Sequence, residues 1–249
     1  MLLKDKTAII SGAASKKGIG LATARLFAEH GCRVAILDRD ENLSIEAAIS
    51  LGNGHLGIGC DVSDRDACRR SVNQVIDHFG HVDILINNAG ISQPLKIMEI
   101  EPANYDAVLN VNLRGTLYLS QAVIPHMQSR RQGSIACTSS AAGQRGGGFF
   151  GGPHYSASKA GVLGLAKAMA RELGVDGIRV NCVTPGLINT DITGNSLSEQ
   201  RLSEIRNGTF LHRFGDPKEV AGAFLFLASD LSSYVTGAII DVNGGIHVH

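Results

Sequence analysis

Thr7-Ala8-Ile9-Ile10-Ser11-Gly12-Ala13-Ala14-Ser15-Lys16-Lys17-Gly18-Ile19-Gly20 is the stretch on which the fold turns. A short apolar, β-rich run enters a glycine turn, and a helical pattern over 18–30 follows at once. Glycines let the backbone bend tightly and approach an anionic group. The helix that starts there presents unpaired N–H groups to the same point, so strand, glycine turn and helix together predict a site for a pyrophosphate. A second strand pattern over 33–37 ends at Asp38, about 20 residues beyond the glycines, where a carboxylate can accept hydrogen bonds from the two hydroxyls of a ribose.

Outward from this unit the same alternation continues. A helical pattern covers 41–51, and further strand patterns lie at 55–60, 83–86, 133–138, 178–183 and 238–241. Strands alternating with amphipathic stretches imply βαβ units and a parallel sheet. The expected fold is α/β: one Rossmann-like, doubly wound domain over 1–249, with about seven parallel strands and helices on both faces. There is no solenoid repeat, low-complexity linker or charge block to mark a second domain. Two segments read as loops, 143–153, with five glycines after Gly143, and 187–216, which is polar, weakly periodic and expected to be a mobile substrate loop.

Composition excludes more than it identifies. Of 249 residues 44% are hydrophobic and 18% charged, and 23 basic residues balance 23 acidic ones, so no field favours nucleic acid or an anionic membrane. Cys32, Cys60, Cys68, Cys137 and Cys182 are odd in number and lack CxxC spacing, which predicts reduced thiols. Lys4 and Lys6 interrupt any apolar leader, and no apolar run approaches the length of a membrane span. A soluble, cytoplasmic protein is expected.

Asp38 also bears on the choice of dinucleotide. Its charge repels a 2′-phosphate, which favours NAD over NADP. Lys16, Lys17 and Arg39 are the opposing feature, since flexible cations can pair with that phosphate. Asp61-Val62, after the third strand, reads either as a cap on the adenine pocket or as a turn.

Later motifs appear in a fixed order: Asn87-Asn88-Ala89-Gly90 after the fourth strand, Asn110-Val111-Asn112, Ser140 after the fifth, Tyr155-Ser156-Ala157-Ser158-Lys159, and Pro185-Gly186 after the sixth. With the glycine turn and Asp38, they make the whole chain resemble the short-chain dehydrogenase/reductase family. Two departures stand out. Gly12 and Gly18 are separated by five residues where ordinary members have three, a spacing more similar to the divergent enoyl reductases, so Lys16-Lys17 reads as a local insertion. The interval from Ser140 to Tyr155 is also slightly long, which would enlarge the rim over the substrate.

Transfer of a hydride to or from a carbinol carbon needs a positioned acid/base at the oxygen. A helix over 155–173 would bring Tyr155 and Lys159, four apart, onto one face. The resemblance implies that Tyr155 is the acid/base and that Lys159 modulates it and binds the nicotinamide ribose. It further implies that Ser140 hydrogen-bonds the substrate oxygen and that Asn112 holds a water relaying protons from Lys159 to solvent. Adjacent Ser139 competes with Ser140, and the family pattern favours Ser140. The implied cofactor contacts are Gly12, Ser15, Gly18, Ile19, Gly20, Asp38, Asp61, Val62, Asn88, Ala89, Gly90, Pro185, Gly186, Ile188 and Thr190, besides Tyr155 and Lys159. Relatives assemble as homo-oligomers, tetramers more than dimers, and the 244–249 tail would then approach a neighbouring active site.

Substrate candidates are Gln93, Gln144, Arg145, Phe149 and His154. Amides, an imidazole and a guanidinium suit a hydroxylated or anionic small molecule, which points to NAD-dependent oxidation of a secondary alcohol in a polyol, sugar or hydroxy acid. The alternative is an NADPH-dependent 3-oxoacyl-(acyl carrier protein) reductase, and a third reading is an NAD sensor without turnover. A serine hydrolase is disfavoured because neither serine sits in a G-x-S-x-G elbow. No metal is expected, because His247 and His249 read as part of a frayed tail.

Overall fold

In the computed structural model, residues 1–147, 150–191 and 199–249 are described. Among them seven strands form one parallel sheet: β1 (Thr7–Ser11), β2 (Arg33–Asp38), β3 (Leu56–Gly59), β4 (Ile84–Asn87), β5 (Gly133–Thr138), β6 (Ile178–Pro185) and β7 (Ile239–Val242). Their order is β3-β2-β1-β4-β5-β6-β7, and every neighbouring pair is parallel. The chain winds outward from β1 in both directions, so the loops after β1 and β4 diverge and leave a crevice at the carboxyl ends of the strands.

The helices are α1 (Ile19–Glu29), α2 (Glu41–Ile49), α3 (Arg65–Phe79), α4 (Pro102–Leu109), α5 (Gly115–Arg130), α6 (Ala141–Arg145), α7 (Pro153–Leu173), α8 (Glu199–Asn207) and α9 (Pro217–Ala228). Alternating strand residues feed two apolar layers. Ile9, Leu85, Ile135 and Val180 join Val72 and Val75 of α3, Leu119 and Val123 of α5 and Val162 of α7. Ala8, Ile10, Ile84 and Ile86 face the other way, toward Leu21 and Phe27 of α1 and Val220 and Phe224 of α9.

Most sequence-predicted elements recur within a residue or two. Two expectations need correction. The predicted 143–153 loop begins inside α6, and α8 lies within 187–216, so that segment is not a loop throughout. Helix α8 has a polar composition with little apolar periodicity, which hid it in the sequence. Residues 192–198 of that segment, and Phe149, fall outside the described residues.

At the amino end of the sheet, Asp83 is buried and accepts from the Thr7 N–H at 2.8 Å and from Arg130 Nη1 at 2.9 Å. His81 Nε2 lies 3.3 Å from the same carboxylate. This cluster ties β1, the start of β4 and the end of α5 together on the side of the sheet opposite the crevice. The five cysteines are free and buried. Among the described residues no helix is long and apolar enough to cross a membrane, and no group of His, Cys, Asp and Glu is arranged to hold a metal ion.

Candidate active site

The crevice is a cavity of about 790 Å³ running from the glycine turn to Tyr155. At its first end, Gly12 has φ +63°, and a Cβ there would lie 2.6 Å from Ala89 Cα. The turn therefore presses directly on the loop after β4. Asn88 secures that contact by donating Nδ2 to the carbonyls of Ser11 at 3.0 Å and Gly12 at 2.9 Å. Ser11 Oγ in turn accepts from the N–H groups of Asn88 and Ala89.

Gly18 caps α1 without any side-chain hydrogen bond, which leaves the first N–H groups of that helix for an anion. Lys16 and Lys17 are exposed at the tip of a tight turn closed by Gly18 N–H to Ser15 O at 3.0 Å. Both lysines stand clear of the cavity wall, which Gly12, Ser15 and Gly18 line. The residues thus fit a bound dinucleotide.

Asp38, at the end of β2, lines the cavity and accepts from the N–H groups of Ala14 at 3.1 Å and Arg39 at 2.8 Å. Those bonds hold its carboxylate at the mouth of the adenosine end. Asp61 and Val62 also line the wall, and Asp61 Oδ1 accepts from Ser63 N–H and Oγ. Ser15, Gly18, Ile19, Asn88, Ala89, Gly90, Pro185, Gly186, Ile188 and Thr190 are all on the cavity wall. Gly20 is not. A Cβ there would meet Gly12 O at 2.6 Å and Ala13 Cα at 2.7 Å, so Gly20 serves the packing of α1 against the turn. Ser15 Oγ donates to Asp191 Oδ2 at 2.5 Å and links the turn to the segment after β6.

At the other end, Tyr155 and Lys159 both line the cavity from the first turns of α7. Lys159 Nζ donates to Thr138 O at 2.8 Å and lies 5.9 Å from the Tyr155 ring centre. Burial lowers its ammonium to about 8. Burial also raises the Tyr155 phenol, against the opposing effect of a hydrogen bond with Ser140. Ser140 caps α6, its Oγ accepting from Ala142 N–H at 3.1 Å. The hydroxyl of Ser139 is engaged elsewhere, donating to Lys159 O at 2.7 Å, which orients α7 against β5.

Asn112 is buried in a π-helical turn, Asn110–Arg114, between α4 and α5. Its Oδ1 accepts from Ile91 N–H, and its Nδ2 donates to Ile91 O and Ser158 Oγ, each at 2.8–3.0 Å. The amide is thus occupied in pinning the loop after β4 to α7. Both of its N–H donors and one lone pair of its Oδ1 are thereby used within the chain.

Of the substrate candidates, only Arg145 reaches the cavity wall among the described residues. Gln93 Oε1 lies 3.2 Å from His154 Nε2, and Gln93 O accepts from Gly152 N–H. That pair holds the glycine-rich loop. Burial lowers the His154 imidazole, which keeps it neutral in this role. Gln144 Nε2 points away, donating to Asp241 Oδ1 at 3.0 Å. Arg39, read in the sequence as a cation near the dinucleotide, is on the wall; sequence reasoning did not find Cys60, Ile91, Ser92, Phe150 or Ile246, which are there too. The tail is not frayed: Asn243 Nδ2 donates to His247 O, and Arg145 Nη1 donates to Ile246 O at 3.1 Å.

The raised phenol fixes a sign for pH dependence. As an acid in ketone reduction Tyr155 would be present below its pKa and lost only as pH rises through it; as a phenolate base in alcohol oxidation it would gain as pH rises toward it. With the phenol raised above its ordinary value, kcat/KM for alcohol oxidation should climb between about pH 7 and pH 9 while that for ketone reduction holds. A pH profile in both directions checks this, and parallel slopes would count against Tyr155.

A family model described as enoyl-(acyl carrier protein) reductase matches residues 12–247. An uncharacterised short-chain type dehydrogenase/reductase of Sinorhizobium fredii is 59% identical, covering all of both chains. A 3-oxoacyl-[acyl-carrier-protein] reductase of Thermotoga maritima is 43% identical over 99% of each. A (2S)-[(R)-hydroxy(phenyl)methyl]succinyl-CoA dehydrogenase subunit of Thauera aromatica is 38% identical over 98% of each.

Proposed function

The chain belongs to the short-chain dehydrogenase/reductase family, and on that premise we propose that it interconverts 3-hydroxyacyl and 3-oxoacyl groups carried on a thioester, with NAD as its dinucleotide. Members are oxidoreductases acting on CH–OH groups with a nicotinamide cofactor, and this chain is one of them.

The observation carrying the substrate reading is the wall beyond Tyr155. Its larger apolar members are Ile91, Phe150, Leu187 and Ile246, joined among the described residues by the smaller polar Ser92, by Asp191 and by the Arg145 cation. The case for a polyol or sugar drew on Gln93, Gln144 and His154, and all three side chains are engaged away from the cavity. An apolar wall suits an acyl chain, because a polyol would leave hydroxyls unpaired there. Arg145 suits a phosphate or carboxylate at the other end of the substrate. The names of two of the relatives point the same way, one to 3-oxoacyl groups and one to an acyl-CoA.

When bound, the nicotinamide gives a hydride to the carbonyl carbon or takes one from the carbinol carbon. The chain's own residues handle the oxygen. In reduction Tyr155 donates its phenolic proton to the substrate oxygen, while Ser140 hydrogen-bonds that oxygen as charge develops. The Lys159 ammonium stabilises the phenolate left behind, and Ser139 and Thr138 hold Lys159 in position.

NAD is favoured by Asp38, whose carboxylate is fixed by two backbone N–H groups at the adenosine end. Arg39 on the same wall is the feature that favours the second reading, an NADPH-dependent reductase. Asp38→Ser should raise kcat/KM with NADP by about 10- to 100-fold relative to NAD, a change of about 1.4–2.7 kcal/mol in discrimination. An unchanged ratio would move the selection to another group. A homotetramer in the cytoplasm completes the proposal, supported by the exposed apolar side chains of Leu231 and Tyr234 beside α9. The direct test is a turnover screen with NAD and NADP over 3-oxoacyl thioesters, polyols, aldoses and hydroxy acids. Polyol oxidation well above thioester reduction would overturn the substrate reading.

A further inference from the structure

The tail after β7 forms part of the cavity wall of its own chain, and a polar cluster just outside the cavity holds it there. Asp241 is the hub. Its Oδ1 accepts from Gln144 Nε2 at 3.0 Å and from the Thr184 hydroxyl, and its Oδ2 lies 3.1 Å from His249 Nε2. Gln144 comes from α6, Thr184 from β6 and His249 from the tail. A single carboxylate therefore joins the helix that follows Ser140, the strand that leads to Pro185-Gly186, and the last residues of the chain.

Between these anchor points the tail is fixed by its own backbone. Asn243 Oδ1 accepts from Gly245 N–H at 2.8 Å, Ile246 N–H donates to Asn243 O at 3.2 Å, and Asn243 Nδ2 donates to His247 O at 2.9 Å. Leu211 N–H donates to Gly244 O at 3.1 Å, bringing in the segment after α8. Arg145, one residue beyond Gln144, donates to Ile246 O at 3.1 Å. The result is that Ile246 is held on the cavity wall, half-buried, on the same side as Arg145.

We propose that Ile246 is a specificity-determining residue that limits the length of the acyl chain beyond the reacting carbon, and that Gln144, Asp241 and His249 are positioning residues that hold it there. This rests on the 3-hydroxyacyl reading of the site. A branched side chain at a wall position subtracts volume from the cavity that Ser140 also lines, so its size sets which chains fit. The three positioning residues do not line the cavity. In this proposal their effect on substrate choice passes through Ile246.

The test uses the full chain and the N-acetylcysteamine thioesters of 3-oxobutanoate and 3-oxodecanoate. Ile246→Ala should raise the ratio of kcat/KM for the ten-carbon over the four-carbon substrate by about tenfold, and Ile246→Phe should lower it by a similar factor. Gln144→Ala and His249→Ala should move the ratio in the same direction as Ile246→Ala, through KM, while the Kd for the dinucleotide stays unchanged. The Ile246 δ1 methyl resonance, assigned through Ile246→Val, should shift in the Gln144→Ala and His249→Ala proteins.

A ratio indifferent to both Ile246 variants overturns the specificity role. An unmoved methyl resonance overturns the positioning role. If the unaltered chain reduces neither thioester but oxidises alcohols, the acyl reading fails by itself. The Ile246 assignment is then decided by the same long-to-short ratio on 2-decanol and 2-butanol. Absence of turnover on every substrate overturns both.

Discussion

Tyr155→Phe is expected to lower kcat by a factor of about 10²–10⁴ in both directions, the range for removal of a general acid/base. Dinucleotide affinity should remain within about twofold, a change of about 0.4 kcal/mol. The substitution deletes one oxygen and leaves the ring, whose packing is set by the glycine-rich loop: a Cβ on Gly151 would lie 2.3 Å from Tyr155 Cδ1. That contact survives in phenylalanine, so folding and the cavity wall should persist. Lys159 keeps its hydrogen bond to Thr138 O. What disappears is the phenolic O–H that the proposal makes the acid/base, and with it the hydrogen-bond partner of Ser140. Stopped-flow turnover paired with fluorescence titration of the dinucleotide separates the two effects. Near-normal kcat would remove Tyr155 from the chemistry.

The second large effect is at the other end of the cavity. Gly20→Val should destabilise the fold by about 3 kcal/mol and weaken dinucleotide binding by more than about tenfold, or about 1.4 kcal/mol. A Cβ at Gly20 would stand 2.6 Å from Gly12 O, 2.7 Å from Ala13 Cα and 2.7 Å from Asn88 Nδ2. Two of these are backbone atoms of the glycine turn, so relief requires moving α1 away from that turn. The Asn88 amide, which joins the turn to the loop after β4, would be displaced with it. Gly18 is the internal control. The three atoms nearest to a Cβ there all belong to Ser15, at 3.2 Å or more, and Gly18→Ala should cost far less stability. Chemical denaturation and calorimetric titration of both variants give the comparison; equal losses would mean that proximity to the turn, and not close packing, governs the effect.

Much of this was legible in the sequence, and the parts that were share a physical basis. Runs such as Ala8 to Ile10 and Ile84 to Ile86 are buried on both faces, so their hydrophobicity is continuous and marks them as central strands. The glycine turn was readable even with its long Gly12–Gly18 spacing, because Lys16 and Lys17 are exposed and leave Gly12 and Gly20 in close packing. Tyr155 and Lys159 are related by helical spacing alone. What was not legible depends on long-range closure. Gln93 and His154 read as binding residues, yet they pair with each other across 61 positions. Gln144 lies 97 residues from its partner Asp241. Nothing local announces such pairs, and a polar residue in a loop near the site looks the same whether it faces the substrate or braces the loop. Ile246 was missed for the converse reason: an isoleucine in a terminal stretch of glycine and histidine carries no periodic signal.

The Asp83 cluster gives the molecule a separate region in which to change. Thr7, His81 and Arg130 converge on that carboxylate at the amino end of the sheet, while Asp38, Ser140 and Pro185 stand at or just beyond the carboxyl ends of strands. Mutations in such a bracing cluster act on the lifetime of the folded state, and mutations in the crevice act on what is turned over. A lineage carrying this architecture can therefore acquire a costly change in substrate preference at one edge and recover its robustness at the other, with little interference between the two.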